Sequence, residues 1–167
     1  LTQLTRRRDV KIVGLVDLNP DTARERAEQF ELGEEVVYDA LKTAVKETDA
    51  DVVCDLTIPT AHPKVSTEAM RLGCDVISEK PMAESLKDAK RMVAMAQKTG
   101  ETYAVMQNRR FLPATRAIQK FIADGKLGRL DEAHCDFYLG PHFGGFREEM
   151  ADVLLVDMAI HTFDAVR

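Results

Sequence analysis

Short apolar runs alternate with amphipathic stretches over the first two thirds of the chain, and this alternation restricts the fold more than any other feature. The run VKIVGLV reads as a buried strand from Val10 to Val16, short and rich in β-branched residues. Asn19 and Pro20 follow as N-cap and first helical residue. The asparagine oxygen can accept from a free backbone N–H there, and proline lacks an N–H that would otherwise go unpaired. Ala23, Ala27 and Phe30 then mark one helical face. A second strand is expected from Asp51 to Ile58, with a helix after Thr60 that carries Val65, Ala69 and Leu72 and stops at Gly73. A third strand, Asp75 to Ser78, precedes a helix opened by Ser85 with Asp88 in capping-box position. Ala89, Met92, Val93 and Ala96 line that helix up to Gly100, and a fourth strand runs from Thr102 to Gln107. Strands separated by helices pair in parallel, so the chain reads as α/β. The expected architecture is a doubly wound parallel sheet covered on both faces, with ligands at the carboxyl ends of its strands.

After Phe111-Leu112-Pro113 the rhythm changes. One helix is expected with Ala117, Ile118, Phe121 and Ile122 turned inward, then a turn at Gly125 and Gly128, then a strand from Leu130 to Leu139. The chain of 167 residues is long enough for one domain and the opening of another. We place a nucleotide-binding domain at residues 1–110 and the beginning of an α+β substrate domain at residues 111–167. Leu1 lies in helix-like material and Arg167 inside a helical pattern, so both ends read as cut.

Composition excludes several classes. A formal net charge of −5 gives no global attraction for nucleic acid, and the basic run Arg6-Arg7-Arg8 is short. No apolar run approaches the roughly 20 residues of a membrane span. Cys54, Cys74 and Cys135 form no Cys-x-x-Cys pair and read as buried thiols of a reducing, cytoplasmic compartment. No His, Cys and carboxylate cluster has metal-ligand spacing, so no metal is expected.

Three places could carry chemistry. Asp17 ends the first strand, where nucleotide-binding folds place an acid against the adenosine ribose, although an aspartate there also forms turns. Glu79-Lys80-Pro81 leaves the strand DVIS at the carboxyl edge of the sheet. A partly desolvated lysine there can assist loss of a hydroxyl proton, while the bland alternative is a solvated strand end. Asp157 and His161 lie four residues apart in the helix-like segment ADVLLVDMAIHTFDAVR, with Asp164 one turn on. Such a pair is either a satisfied polar pair in a core or a general base with an acidic neighbour.

The ordered set IVGLVDLNP, TIPTAHPKV, AMRLGCDVISEKP, QNRRFLPA, GKLG and LLVDMAIHTFD resembles the glucose-fructose oxidoreductase / inositol dehydrogenase / rhizopine-catabolism (Gfo/Idh/MocA) oxidoreductases along nearly the whole chain. The resemblance implies a Rossmann-type domain followed by a substrate domain. It also implies a nicotinamide cofactor, a sugar-like, cyclitol or polyol substrate, and a homo-oligomer at full length. Residue by residue, it assigns Asp17 to the ribose, Thr57, Ile58, Pro59 and His62 to the cofactor-lining loop, and Glu79 and Lys80 to the nicotinamide. Asp157 and His161 become the substrate-proximal pair, Arg110 falls in the family's Arg-Phe element, and the Lys80-Pro81 peptide is expected to be cis. Neither His134 nor His142 matches a family position. The first strand and glycine-rich turn that should precede Asp17 by about 20 residues are not among these 167 residues.

The expected mechanism is hydride transfer between a secondary alcohol and the nicotinamide. His161 would take the hydroxyl proton, Lys80 would polarise the hydroxyl, and Asp157 would bind a neighbouring hydroxyl or fix the histidine. NAD is expected rather than NADP, because Asp17 would repel a 2′-phosphate and Leu18 and Asn19 offer no cation. Two other readings remain: an NAD-dependent redox-type glycosidase, and a non-catalytic nucleotide-sensing relative.

Overall fold

The computed structural model describes residues 1–138, 140 and 144–167. Strand β1 (Leu15–Val16) leads into helix α1 (Pro20–Gln29), capped by the Asn19 side chain, which accepts from the Asp21 N–H at 3.1 Å. Next come β2 (Val37–Tyr38), α2 (Leu41–Thr48), β3 (Val52–Asp55), α3 (His62–Arg71) and β4 (Asp75–Ser78). Helix α4 (Leu86–Thr99) starts at Ser85, whose hydroxyl oxygen accepts from the Asp88 N–H at 3.1 Å and whose hydroxyl donates to the Asp88 carboxylate at 2.7 Å. Gly73 and Gly100 take positive φ at the ends of α3 and α4, a conformation that costs a side chain and costs glycine little. Strand β5 (Tyr103–Val105), a 3-10 turn at Asn108–Phe111, α5 (Pro113–Ala123), a π-helical turn at Leu154–Met158 and α6 (Ile160–Val166) complete the order of the main elements.

Among the described residues all strand pairs are parallel. β1 and β2 form one ladder, with Leu15 opposite Val37, and β3-β4-β5 form another, with Val53 opposite Val76 and Val76 opposite Tyr103. Val53, Val76 and Tyr103 share one face of the three-stranded sheet. Against it pack Ala69, Met70 and Cys74 from α3 and its turn and Met95 and Ala96 from α4, with Val45 of α2 joining them. The opposite face, with Cys54, Ile77 and Ala104, is exposed among the described residues, where helices on both faces were expected.

Several expected boundaries change for identifiable reasons. The first strand pairs only over Leu15–Val16, because β2 offers it two residues of ladder. β2 and α2 were not anticipated: Val37–Tyr38 is too short to register as an apolar run. The second and fourth strands contract to Val52–Asp55 and Tyr103–Val105, and α3 begins at His62 after a turn over Thr60 and Ala61. Residues 130–138 form no strand, having no partner ladder among the described residues, and Leu139 and His142 lie outside them. Helix α5 keeps its amphipathic pattern but buries none of it: Ala117, Ile118 and Phe121 are exposed and Ile122 is half-buried. Of the cysteines Cys74 is buried, whereas Cys54 and Cys135 are exposed. Among the described residues no helix is long and apolar enough to cross a membrane, and no group of three or more His, Cys and carboxylate side chains could hold a metal ion.

Candidate active site

The parallel sheet delivers its polar residues to one edge. At the end of β3, Asp55 is 1% exposed, and a buried carboxylate persists only if it is well hydrogen-bonded. One oxygen accepts from the Thr57 N–H at 3.2 Å and the Thr57 hydroxyl at 2.6 Å, and the other from the Ser66 hydroxyl at 2.7 Å. The segment Thr57-Ile58-Pro59 is thereby tied to α3, with Pro59 buried and Ile58 47% exposed.

His62 is fully buried, with Nδ1 at 2.8 Å from the Pro81 carbonyl and Nε2 at 2.9 Å from the Thr57 carbonyl. The ring therefore clamps the loop after β3 to the loop after β4. The Lys80-Pro81 peptide is cis. Glu79 directs one carboxylate oxygen to the Lys80 backbone N–H at 3.0 Å.

Lys80 reaches across 77 positions of sequence to the π-helical turn before α6. Its Nζ donates to the Asp157 carboxylate at 2.6 Å and to the Asp157 carbonyl at 3.0 Å. The other carboxylate oxygen of Asp157 accepts from Arg147 Nε at 2.9 Å. Burial pushes the Asp157 carboxyl up, but hydrogen bonds and charge from Lys80 and Arg147 outweigh it and hold the group below its ordinary value. Asp157 is thus anionic, with both oxygens engaged by cations. It fixes Lys80 rather than the histidine.

His161 sits one turn further on, 7% exposed, with Nδ1 buried and without a hydrogen-bond partner among the described residues. Burial, then the charges of Arg109 and Lys80, lower its pKa, against smaller opposing effects of Asp157 and Asp164. The imidazole is therefore neutral over an unusually wide pH range and can accept a proton. The continuous helix expected over Asp157 and His161 is instead interrupted by the π-helical turn. Such turns often mark functional sites, because they re-aim side chains out of the 3.6-residue period.

Lys80, His161, Glu79, Asn108, Arg109 and Arg147 line a cavity of about 560 Å³, with Met106 and Leu112 as its apolar part. Sequence reasoning picked out Glu79, Lys80 and His161 but not the other polar members. Arg110, singled out in the Arg-Phe element, instead pairs with Asp164 at 3.4 Å, and its neighbour Arg109 faces the cavity. Asp55 had a legible signal, a carboxylate inside an apolar strand; Arg147, in a glycine-rich loop without periodicity, had none. Asp17 lies at the end of β1, exposed, with one carboxylate oxygen accepting from the Asn19 N–H at 2.8 Å.

A parallel α/β sheet with polar side chains gathered beyond the carboxyl ends of its strands has its ligand site where dinucleotide-binding folds have theirs. Residues 1–107 match the Gfo/Idh/MocA oxidoreductase family, NAD-binding Rossmann fold, and the chain belongs to that family. It is 28% identical over 162 residues to 1,5-anhydro-D-fructose reductase of Ensifer adhaerens, across 94% of this chain and 48% of that protein. It is 27% identical over 163 residues to D-apiose dehydrogenase of Paraburkholderia graminis, across 94% of this chain and 42% of that protein. The fold matches myo-inositol 2-dehydrogenase from Lactobacillus plantarum with a TM-score of 0.81 at 22% identity, covering 99% of this chain and 50% of that one. The chain spans about half the length of these relatives, or less.

Proposed function

We propose that the protein catalyses hydride transfer between NAD and a secondary alcohol of a sugar-like, cyclitol or polyol substrate. The observation that carries this reading is the Lys80–Asp157 contact at 2.6 Å in a cavity that Lys80 shares with His161, whose buried Nδ1 has no hydrogen-bond partner among the described residues. The names of the relatives, a sugar-derivative reductase and a sugar dehydrogenase, favour the same chemistry.

The residues present fit a nicotinamide cofactor. Asp17 is exposed, and its second carboxylate oxygen has no bond among the described residues, so it is available to ribose hydroxyls. Ile58 offers exposed apolar surface in the loop after β3. Thr57, Pro59 and His62 act through the loop they shape, and Glu79 and Lys80 continue the same edge. The chemistry that such a cofactor supplies is acceptance and return of a hydride. The absence of a cation at Leu18 and Asn19, next to the carboxylate of Asp17, favours NAD over NADP.

In this mechanism the Lys80 ammonium, anchored on Asp157, donates a hydrogen bond to the substrate hydroxyl and stabilises the developing alkoxide. His161 receives the proton, and the walls hold the carbon in a near-attack position. Arg110 serves the site from behind by holding α6 through Asp164. The test is a screen of sugars, cyclitols and polyols with NAD and NADP, following reduced cofactor. Accumulation in proportion to substrate, with NAD preferred, is expected. Release of an aglycone with no net change in cofactor would assign the glycosidase reading, and binding of NAD without turnover of any substrate would assign a sensing role.

A further inference from the structure

The charges around the cavity do not balance. Lys80, Arg109 and Arg147 line it, against one carboxylate, that of Glu79. Asp157 answers Lys80 and Arg147 from behind the wall, at 2.6 and 2.9 Å. Glu79 has turned one oxygen to the Lys80 backbone, and Arg110 takes up Asp164 at 3.4 Å. The Arg109 guanidinium is left with a ring contact, over Phe137 at 5.6 Å, and with no carboxylate partner among the described residues. A planar fork of donors lining the same cavity as His161 is complementary to a carboxylate or phosphate oxygen pair rather than to a hydroxyl.

We propose that the alcohol bound here carries an anionic group, a carboxylate or a phosphate ester, which pairs with Arg109 while the reacting hydroxyl lies between Lys80 and His161. The inference rests on the hydride-transfer reading above and adds a substrate class to it. A neutral polyol leaves the guanidinium uncompensated when the cavity loses its water; an acidic sugar does not. The pairing also acts on the base. After burial, the charge of Arg109 is the largest influence holding His161 below its ordinary pKa. An anion on Arg109 offsets that charge, so the histidine becomes more basic when the correct substrate binds.

Matched pairs test this on the purified protein with NAD present: glucuronate against glucose, gluconate against sorbitol, and glucose 6-phosphate against glucose, each by calorimetry. The acidic member of at least one pair should bind about ten- to hundredfold more tightly, as expected for a charge-assisted contact, and the pair concerned distinguishes carboxylate from phosphate. Arg109→Gln should collapse that preference, while Arg109→Lys, which keeps the charge and loses the fork, should retain part of it. Thermal unfolding of both variants checks that they fold. Equal affinity within every pair, including none for either member, overturns the proposal. So does a preference that survives Arg109→Gln, or a loss in that variant that falls on NAD affinity instead. Reduced cofactor is followed in the same samples: turnover of neutral polyols without acidic preference removes the anion and leaves hydride transfer standing. An acidic ligand that binds through Arg109 without reducing NAD removes hydride transfer and leaves the anion site.

Discussion

The region from β1 to β5 and the region from α5 to α6 are held in place by different forces. In the first, what is buried is mainly apolar: Ala23 and Ala27 of α1, Ala69 and Met70 of α3, Val76 of β4, Met92 of α4. In the second, no residue of α5 is fully buried, Leu130 is 51% and Tyr138 90% exposed, and among the described residues the buried side chains are Asp157 and His161. The π-helical turn and α6 are tied through charge to the loop after β4 and to the 3-10 turn after β5, Lys80 to Asp157 and Arg110 to Asp164. Apolar burial is non-directional and builds a scaffold, whereas buried ion pairs contribute little net stability but fix relative positions. The molecule thus places its hydrophobic residues on the sheet and seats the helix that carries His161 through ion pairs.

The largest effect that would sharpen this contrast lies at the contact between the two regions. Lys80→Ala or His161→Ala should lower kcat by at least about 10²-fold, the lower end for loss of a general acid or base, with NAD affinity changed only a few-fold. Turnover at the unaltered rate in the His161 variant would remove it from the mechanism. The acid limb of kcat/KM should fall below pH 6.5, the ordinary histidine value, because the imidazole is held neutral beyond it. The stability sign follows from the same shift. The unfolded chain binds the His161 proton more readily than the folded one, so stability rises with pH from the lowered folded value up to 6.5 and is flat above it. Asp157 acts at the acid end: its folded pKa lies below 3.8, so its contribution is present above 3.8 and lost as pH falls through the folded value.

The next effect is confined to the scaffold. Met70 is 1% exposed within the cluster of Val45, Ala69, Cys74 and Val76. Met70→Ala should cost about 3 kcal/mol, from lost transfer energy plus the cavity left behind, measured by urea unfolding. A cost under about 1 kcal/mol would show that α3 and the sheet are not closely packed. Below it stands Ser85→Ala, which removes the oxygen that accepts from the Asp88 N–H at 3.1 Å. A cap of this kind contributes about 1 kcal/mol, and the same unfolding experiment with Ser85→Thr should recover most of it.

What could be read in advance follows the same division. Strand β4 was expected from Asp75 to Ser78 and has those bounds, because a short apolar run between two glycine-stopped helices has few alternatives. The caps at Asn19 and Ser85 were legible because they rest on local chemistry. The contacts of Arg147 and Arg109 were not, since adjacent arginines in a 3-10 turn carry no signal of which one faces a cavity. A glycine-rich loop likewise carries no periodicity from which to place its arginine on Asp157. The four-residue spacing of Asp157 and His161 suggests one face of one helix, but Asp157 falls in the π-helical turn at Leu154–Met158 and His161 in α6. That Asp157 would serve Lys80 and Arg147 rather than the histidine depends on contacts distant in sequence.

The smallest expected effect is the most direct test of the comparison. Ile118 lies on the amphipathic side of α5 and is 59% exposed, so Ile118→Ala removes little buried surface. Alanine also has the higher helix propensity, by a few tenths of a kcal/mol. The two contributions oppose each other, and the change in unfolding free energy should stay within about 0.5 kcal/mol, against the loss of about 3 kcal/mol expected for Met70→Ala. A loss above about 2 kcal/mol would show that the α5 face is covered in solution. If that loss grew with dilution, the cover would be a second copy of the chain, because only an intermolecular contact makes stability depend on protein concentration. Independence of concentration would place the cover within the same polypeptide. Either result would make α5 a further scaffold helix and confine the charge-held part of the molecule to the residues around Asp157 and His161.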